Sequence, residues 1–268
     1  MQTHTVGLSS EYEAQRYSNA HNILRSEIIY GDGFQSPGGI EGFRTMLAEN
    51  MAIEPGMRLL DIGSGLGGAA FHLASRFDVT VVGLDTAPRM TELATARQPA
   101  LDPHARVRFV NGDVHAEALA GERFDIIYSR DALMYVHDKP RLFARCHALL
   151  ATRGRLYVTD FCRGRASPAF DAYASVSGYD LRTIDDYARI VADAGFDVLS
   201  ARDVSDDARA ASCAATWIAM KRASRRAIRR STRSTPSTSS SAGGARSASS
   251  TKDACCKGCS SRSDADRR

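Results

Sequence analysis

The residues best suited to chemistry cluster first in LLDIGSGLGG, Leu59 to Gly68, which sets one carboxylate, Asp61, before Gly63, Ser64, Gly65, Gly67 and Gly68. Residues this small let a ligand press against the backbone, whose N–H groups then serve as donors. The spacing Gly63-x-Gly65-x-x-Gly68 fits the fingerprint of a nucleotide-binding turn. Asp85 follows about twenty residues on, where a ribose hydroxyl would need an acceptor. A third acid, Asp113 in VNGDV, suits an adenine amino group.

These residues need a scaffold, and the chain supplies an alternating one. Short apolar runs predict strands at Arg58–Ile62, Val79–Leu84, Val107–Val110, Phe124–Ser129, Arg155–Thr159 and Asp197–Ala201, with Ala215–Met220 a further candidate. Helices are predicted at Gly67–Ser75, Ala87–Ala96, Lys139–Leu150 and Thr183–Ala194, the last opened by a capping threonine and closed by Gly195. This βαβα order predicts an α/β fold, an open, doubly wound and mostly parallel sheet of Rossmann type. Asp61, Asp85 and Asp113 then stand at successive strand ends, where such sheets bind ligands. Residues 1–52 read as an N-terminal helical cap, 53–221 as the binding domain, and 222–268 as a tail.

The tail accounts for the basic charge. Of 35 Lys+Arg, 12 lie in residues 222–268 against 3 Asp, which leaves 23 basic and 28 acidic groups in the other 221 residues. RASRRAIRRSTRSTPSTSSSAGGARSASS has one large apolar residue, Ile228, and predicts disorder. It lacks aromatics for base stacking, which argues against a nucleic-acid partner. Cys255, Cys256 and Cys259 in CCKGC fall short of the four ligands of a closed zinc site, so no metal is predicted. The scattered Cys146, Cys162 and Cys213 do not read as a disulfide framework. No run of 18 apolar residues and no secretory leader is present, which predicts a cytoplasmic location without a membrane partner.

Asp61 separates two cofactor classes. A pyrophosphate wants positive potential at the turn, and a carboxylate beside it is unfavourable. S-adenosylmethionine has no phosphate; its α-ammonium and sulfonium are both stabilised by nearby acids. The pattern from Asp61 to Gly67, with Asp85 and Asp113 at later strand ends, resembles the class I S-adenosylmethionine-dependent methyltransferases. Thr86 and Val114, beside the two later acids, join the predicted cofactor set, as does Ser129.

Four longer runs sharpen the likeness: YSNAHNILRSEIIYGDGFQSPGGIE, FDIIYSRDALMYVHDKPRLFARC, GRLYVTDFCRG and SGYDLRTIDDYARIVADAGFDV. Together, from Tyr17 to Asp206, they resemble the phosphoethanolamine N-methyltransferases. That resemblance implies methylation of the amine of phosphoethanolamine and its methylated products. It implies that Tyr17 closes over the cofactor, that Gln35 and Ser36 form a cofactor-contacting loop, that Arg130 belongs to the cofactor site, and that Asp131 sits beside the reacting amine.

The chain departs from that family at several positions. Tyr135 stands where the family has a histidine, and His137 follows two residues later. In the family's phosphate clamp, a tyrosine is replaced by Phe161 and an arginine by Ser177, while Tyr179 is kept. Losing the arginine removes a charge-assisted phosphate contact, so an altered phosphate pocket is expected. Proton transfer from the amine is assigned to Tyr17, Tyr135 or His137, with His21 a secondary candidate and His72 structural. The reading is a methyltransferase of a small-molecule amine. The alternatives are a catalytically impaired binder of the cofactor, with a lost or frame-shifted C-terminal segment, or a methyltransferase of another small nucleophile.

Overall fold

The structure, a computed structural model, describes residues 19–164 and 168–206. Among the described residues two helices come first, α1 (Ala20–Tyr30) and α2 (Gly39–Met46), then β1 (Arg58–Ile62), α3 (Gly68–Phe77), β2 (Thr80–Asp85), α4 (Pro88–Leu101), β3 (Val107–Asn111) and β4 (Phe124–Arg130). After these come α5 (Lys139–Leu149), β5 (Leu150–Thr159), α6 (Pro168–Val176) and α7 (Ile184–Asp193). The five strands pair in parallel in the order β3-β2-β1-β4-β5. The sheet is Rossmann-like, as the alternation predicted.

Alternate residues of each strand feed two cores, because successive side chains point to opposite faces. Leu59, Val81, Val107, Ile126 and Tyr128 pack with Phe43 of α2 and Ala70, Phe71, Leu73 and Ala74 of α3. Leu60, Val82, Leu84 and Ile127 pack on the other face with Leu142, Phe143, Cys146 and Leu149 of α5 and Tyr187 of α7. The described part of the N-terminal segment is therefore built into one face layer through α2. It is also tied on by Glu27, which accepts two bonds from Arg97 of α4, at 2.6 and 3.1 Å, and one from Gly33 N–H at 2.7 Å.

The expected strand at Asp197–Ala201 is not formed: among the described residues the segment has no ladder partner, and Val198 and Leu199 stand 41% and 84% exposed. An apolar pair does not make a strand without a neighbour to take its backbone bonds. β5 instead starts at Leu150, before a register break against β4. Helix α6 is additional to the elements expected from sequence. The candidate strand Ala215–Met220, the boundary near Lys221, the tail and CCKGC lie outside the described residues. Cys146 and Cys162 are free thiols. Among the described residues no helix is long and apolar enough to cross a membrane, and no group of three or more His, Cys, Asp or Glu is placed to hold a metal.

Candidate active site

Strand order reverses between β1 and β4, so the loops after these strands diverge and open a crevice at their carboxyl ends. A cavity of about 430 Å³ occupies it. Gln35, Ser36, Gly63, Gly65, Asp85, Thr86, Asp113, Val114, Arg130, Asp131, Tyr135, His137, Phe161 and Tyr179 all line it. A smaller pocket sharing Gln35, Ser36, Gly63, Gly65 and Arg130 adds Asp61 and Ser64.

The glycine turn is shaped for close approach. Gly63 has φ +79°, and a Cβ there would stand 2.3 Å from the Ala132 Cβ. The turn's floor is a buried acid. Burial pushes the Asp61 carboxyl up to about 7; the Tyr128 hydroxyl pulls it down and Asp85 pushes it further up. Asp61 Oδ2 and Ser64 Oγ are buried without a hydrogen-bond partner. Orphaned acceptors of this kind call for a donor, preferably a charged one. Asp85 is raised by burial, while the N–H groups of Ala87 and Gly65 donate to it at 2.9 and 2.8 Å. Those bonds aim its carboxylate at the cavity from the end of β2. Asp113 accepts from the His115 N–H at 2.8 Å. Three acids, with one pair of orphaned acceptors, fit an α-ammonium, a ribose and an adenine; these residues would hold S-adenosylmethionine.

Arg130 lines both pockets. Its guanidinium donates to the Gly39 carbonyl at 2.8 Å and to the Pro37 carbonyl, pinning the loop that carries Gln35 and Ser36. Asp131 follows it with φ 53°, a left-handed conformation that aspartate tolerates better than most residues. Burial raises its carboxyl, and Arg130 and Ser36 pull it back. Tyr135 and Tyr179 meet edge to face at 5.2 Å. Burial pushes the Tyr179 phenol well above its ordinary value, so it stays protonated at neutral pH.

Other expected site residues fall elsewhere. Gly67 caps α3 with φ 81°. Ser129 is buried, its hydroxyl donating to the Ile62 carbonyl at 2.7 Å. Ser177 is 2% exposed and is not among the residues lining the cavity. His21 is exposed on the first turn of α1, and the His72 ring packs edge-on against Phe43 at 6.2 Å; neither lines the cavity. Tyr17 lies outside the described residues. Tyr30, Met134, Arg141, Phe170 and Tyr173, not among the expected site residues, also line the cavity. Phe170 and Tyr173 sit on α6, and finding that helix would have been their only signal.

Comparison with known proteins agrees with this geometry. The model of a methyltransferase domain matches residues 53–195. Phosphoethanolamine N-methyltransferase 3 of Arabidopsis thaliana is 37% identical over 186 residues, 69% of this chain and 37% of that protein. Phosphoethanolamine N-methyltransferase of Plasmodium falciparum is 29% identical over 185 residues, 67% of this chain and 68% of that protein. Phosphoethanolamine N-methyltransferase 2 of Haemonchus contortus, solved with S-adenosyl-L-methionine, superposes with a TM-score of 0.68 at 27% identity, covering 77% of this chain and 48% of that one. The same protein, solved with phosphomonomethylethanolamine and S-adenosylhomocysteine, gives a TM-score of 0.68 at 28% identity, covering 76% and 48%. The chain thus spans little more than a third of the plant relative's length. With its sheet, glycine turn and strand-end acids in the matched segment, the chain belongs to the methyltransferase-domain family.

Proposed function

We propose that this chain transfers a methyl group from S-adenosylmethionine to a small-molecule amine, in the manner of a phosphoethanolamine N-methyltransferase with an altered phosphate contact. One observation carries the reading: a single cavity joins the acids at the ends of β2 and β3 to Asp131 at the end of β4. The Haemonchus protein, with its phosphobase and spent cofactor, supports the substrate class.

When bound, the cofactor supplies a methyl group already activated by its sulfonium. The protein's part is placement and exclusion of water. Asp61 and Ser64 hold the α-ammonium, Asp85 the ribose and Asp113 the adenine. Asp131 orients the acceptor nitrogen. An alkylammonium has a pKa near ~10 and must lose its proton before attack, and an apolar wall helps by disfavouring its charged form. Tyr135, Phe161, Phe170, Tyr173 and Tyr179 form that wall. Tyr179, protonated and in edge-to-face contact with Tyr135, orients rather than abstracts, and His137, exposed at the cavity's edge, passes the proton to solvent. Phe161 offers a phosphate no hydroxyl, and Ser177 is turned out of the cavity lining. The action is that of a cytoplasmic enzyme on a small molecule, with no membrane or nucleic-acid partner.

The test is a tritiated-methyl screen of purified protein over phosphoethanolamine, ethanolamine, their N-methyl forms, small amino acids and phenols. Transfer to an amine supports the proposal. Binding of S-adenosylhomocysteine without transfer to any acceptor would favour the impaired-binder reading instead.

A further inference from the structure

Lys139 is the least expected buried residue of the domain. It is 0% exposed, although ammonium groups are rarely fully buried. It also occupies the first turn of α5, where the helix macrodipole disfavours a cation. Neither its burial nor its place on the helix is stabilising in itself, so its partners must account for it.

Those partners are three backbone carbonyls. Lys139 Nζ donates to Leu133 O at 3.0 Å, Val136 O at 2.8 Å and Asp180 O at 2.7 Å, which uses all three ammonium protons. Asp180 Oδ2 stands 3.7 Å away and is held by Arg182 at 2.8 Å. The ammonium also lies 5.8 Å from the centre of the Tyr187 ring, whose hydroxyl donates to Asp160 at 2.9 Å.

The carbonyls belong to two segments far apart in the sequence. One is the 3-10 turn Leu133–Tyr135 and Val136 after β4; the other is the loop between α6 and α7. Asp180 N–H, donating to Met134 O at 2.7 Å, is a second tie between them. The first segment sends Met134, Tyr135 and His137 to the cavity, and the second sends Tyr179 and Leu181. The Tyr135–Tyr179 contact therefore spans a junction that Lys139 fastens from behind. The cofactor side, with Asp61 and Asp85, lies on other strands.

We propose that Lys139 is a positioning residue for the methyl acceptor: by tying these two segments together it sets the distance between Tyr135 and Tyr179 without touching the substrate. The inference rests on the methyltransferase reading for its kinetic consequences, but its structural consequence does not.

The test uses Lys139→Met, which keeps length and removes the donors, and Lys139→Arg, which restores donors and charge. Hydrogen exchange is read on full-length protein. In Lys139→Met, amide protection should fall at least tenfold over residues 131–137 and 178–183 and stay within twofold over residues 58–86. Calorimetric affinity for S-adenosylhomocysteine should stay within threefold. For the acceptor that the wild type methylates, KM should rise at least tenfold with the cofactor KM unchanged, and Lys139→Arg should recover part of the loss. Unchanged exchange at both segments would overturn the proposal. So would equal loss of protection across the sheet, or a parallel loss of cofactor and acceptor affinity, since a merely structural lysine would give these. If Lys139→Met fails to fold, Lys139→Gln, which stays polar but is too short to reach all three carbonyls, decides: an acceptor-only rise in KM supports the proposal, and wild-type or uniformly reduced behaviour refutes it. A wild type that methylates nothing would sink the functional reading, while the exchange pattern would still judge Lys139.

Discussion

Cofactor binding should release protons, because the acid beneath the glycine turn is partly neutral before the ligand arrives. Burial holds Asp61 at about 7, against 3.8 for the free side chain, a difference worth about 4 kcal/mol. The folded value lies above the unfolded one, so this group lowers stability as pH rises from about 4 to 7 and adds no further change above that. An ammonium bonded to Oδ2 reverses the preference and favours the carboxylate. With a pKa of about 7, roughly nine-tenths of Asp61 is protonated at pH 6, half at pH 7 and a tenth at pH 8. Where only the ionised form binds, affinity for S-adenosylhomocysteine should rise about fivefold from pH 6 to 7 and about tenfold from pH 6 to 8. Titration calorimetry at pH 7, in two buffers of different ionisation enthalpy, should show about half a proton released per ligand bound. Asp61→Asn should remove that release, flatten the pH dependence and weaken binding at pH 8 by about 1.5–3 kcal/mol, the range for a hydrogen bond to a charged group. A flat affinity in the wild type, or an Asn variant that keeps the same slope, would refute the assignment of Asp61 to the ammonium.

Asp85→Ala should weaken S-adenosylhomocysteine binding by about 2–3 kcal/mol in calorimetry, since it removes an acceptor already aimed by two backbone amides; tight NADH binding by the wild type would overturn the cofactor assignment altogether. Phe161→Tyr should lower KM for phosphoethanolamine about three- to tenfold through one added hydrogen bond, with no gain for ethanolamine; an equal gain for both would mean that packing, not phosphate contact, is at work. Ser177→Arg would have to force a guanidinium into a position 2% exposed, so it should cost about 1–3 kcal/mol in denaturant melts rather than rebuild a clamp. Glu27→Gln should cost about 1–3 kcal/mol; burial raises the Glu27 carboxyl, but Arg97 and the Gly33 amide together hold it below 4.5, so the wild-type advantage should be present at neutral pH and fade as pH falls through that lowered value.

Much of this molecule is legible in its sequence, for reasons of period and sterics. Strands buried on both faces read as short apolar runs, and β1 ends where it was expected, at Ile62. The glycine turn and the acids Asp61, Asp85 and Asp113 could be placed because each sits at a fixed point relative to a strand end, a local relation. Capping made Thr183 visible as the start of α7, where it accepts from the Asp186 N–H at 3.1 Å.

The tertiary structure alone decided the rest, because it depends on segments far apart in the chain. Sequence could not show that Ser177, in a motif otherwise well matched, is buried away from the cavity, or that Ser129 spends its hydroxyl on the Ile62 carbonyl 67 residues away. Nor could it show that Arg130 holds the Pro37–Gly39 loop. Lys139 reads in sequence as an ordinary charged residue opening a helix. Only the convergence of three carbonyls from two segments, the farther one 41 residues from Lys139 in sequence, turns it into a buried tie behind the Tyr135–Tyr179 contact. A residue's type and spacing set what chemistry it can offer; its desolvation and partners, which set its charge and aim, exist only once the chain has folded.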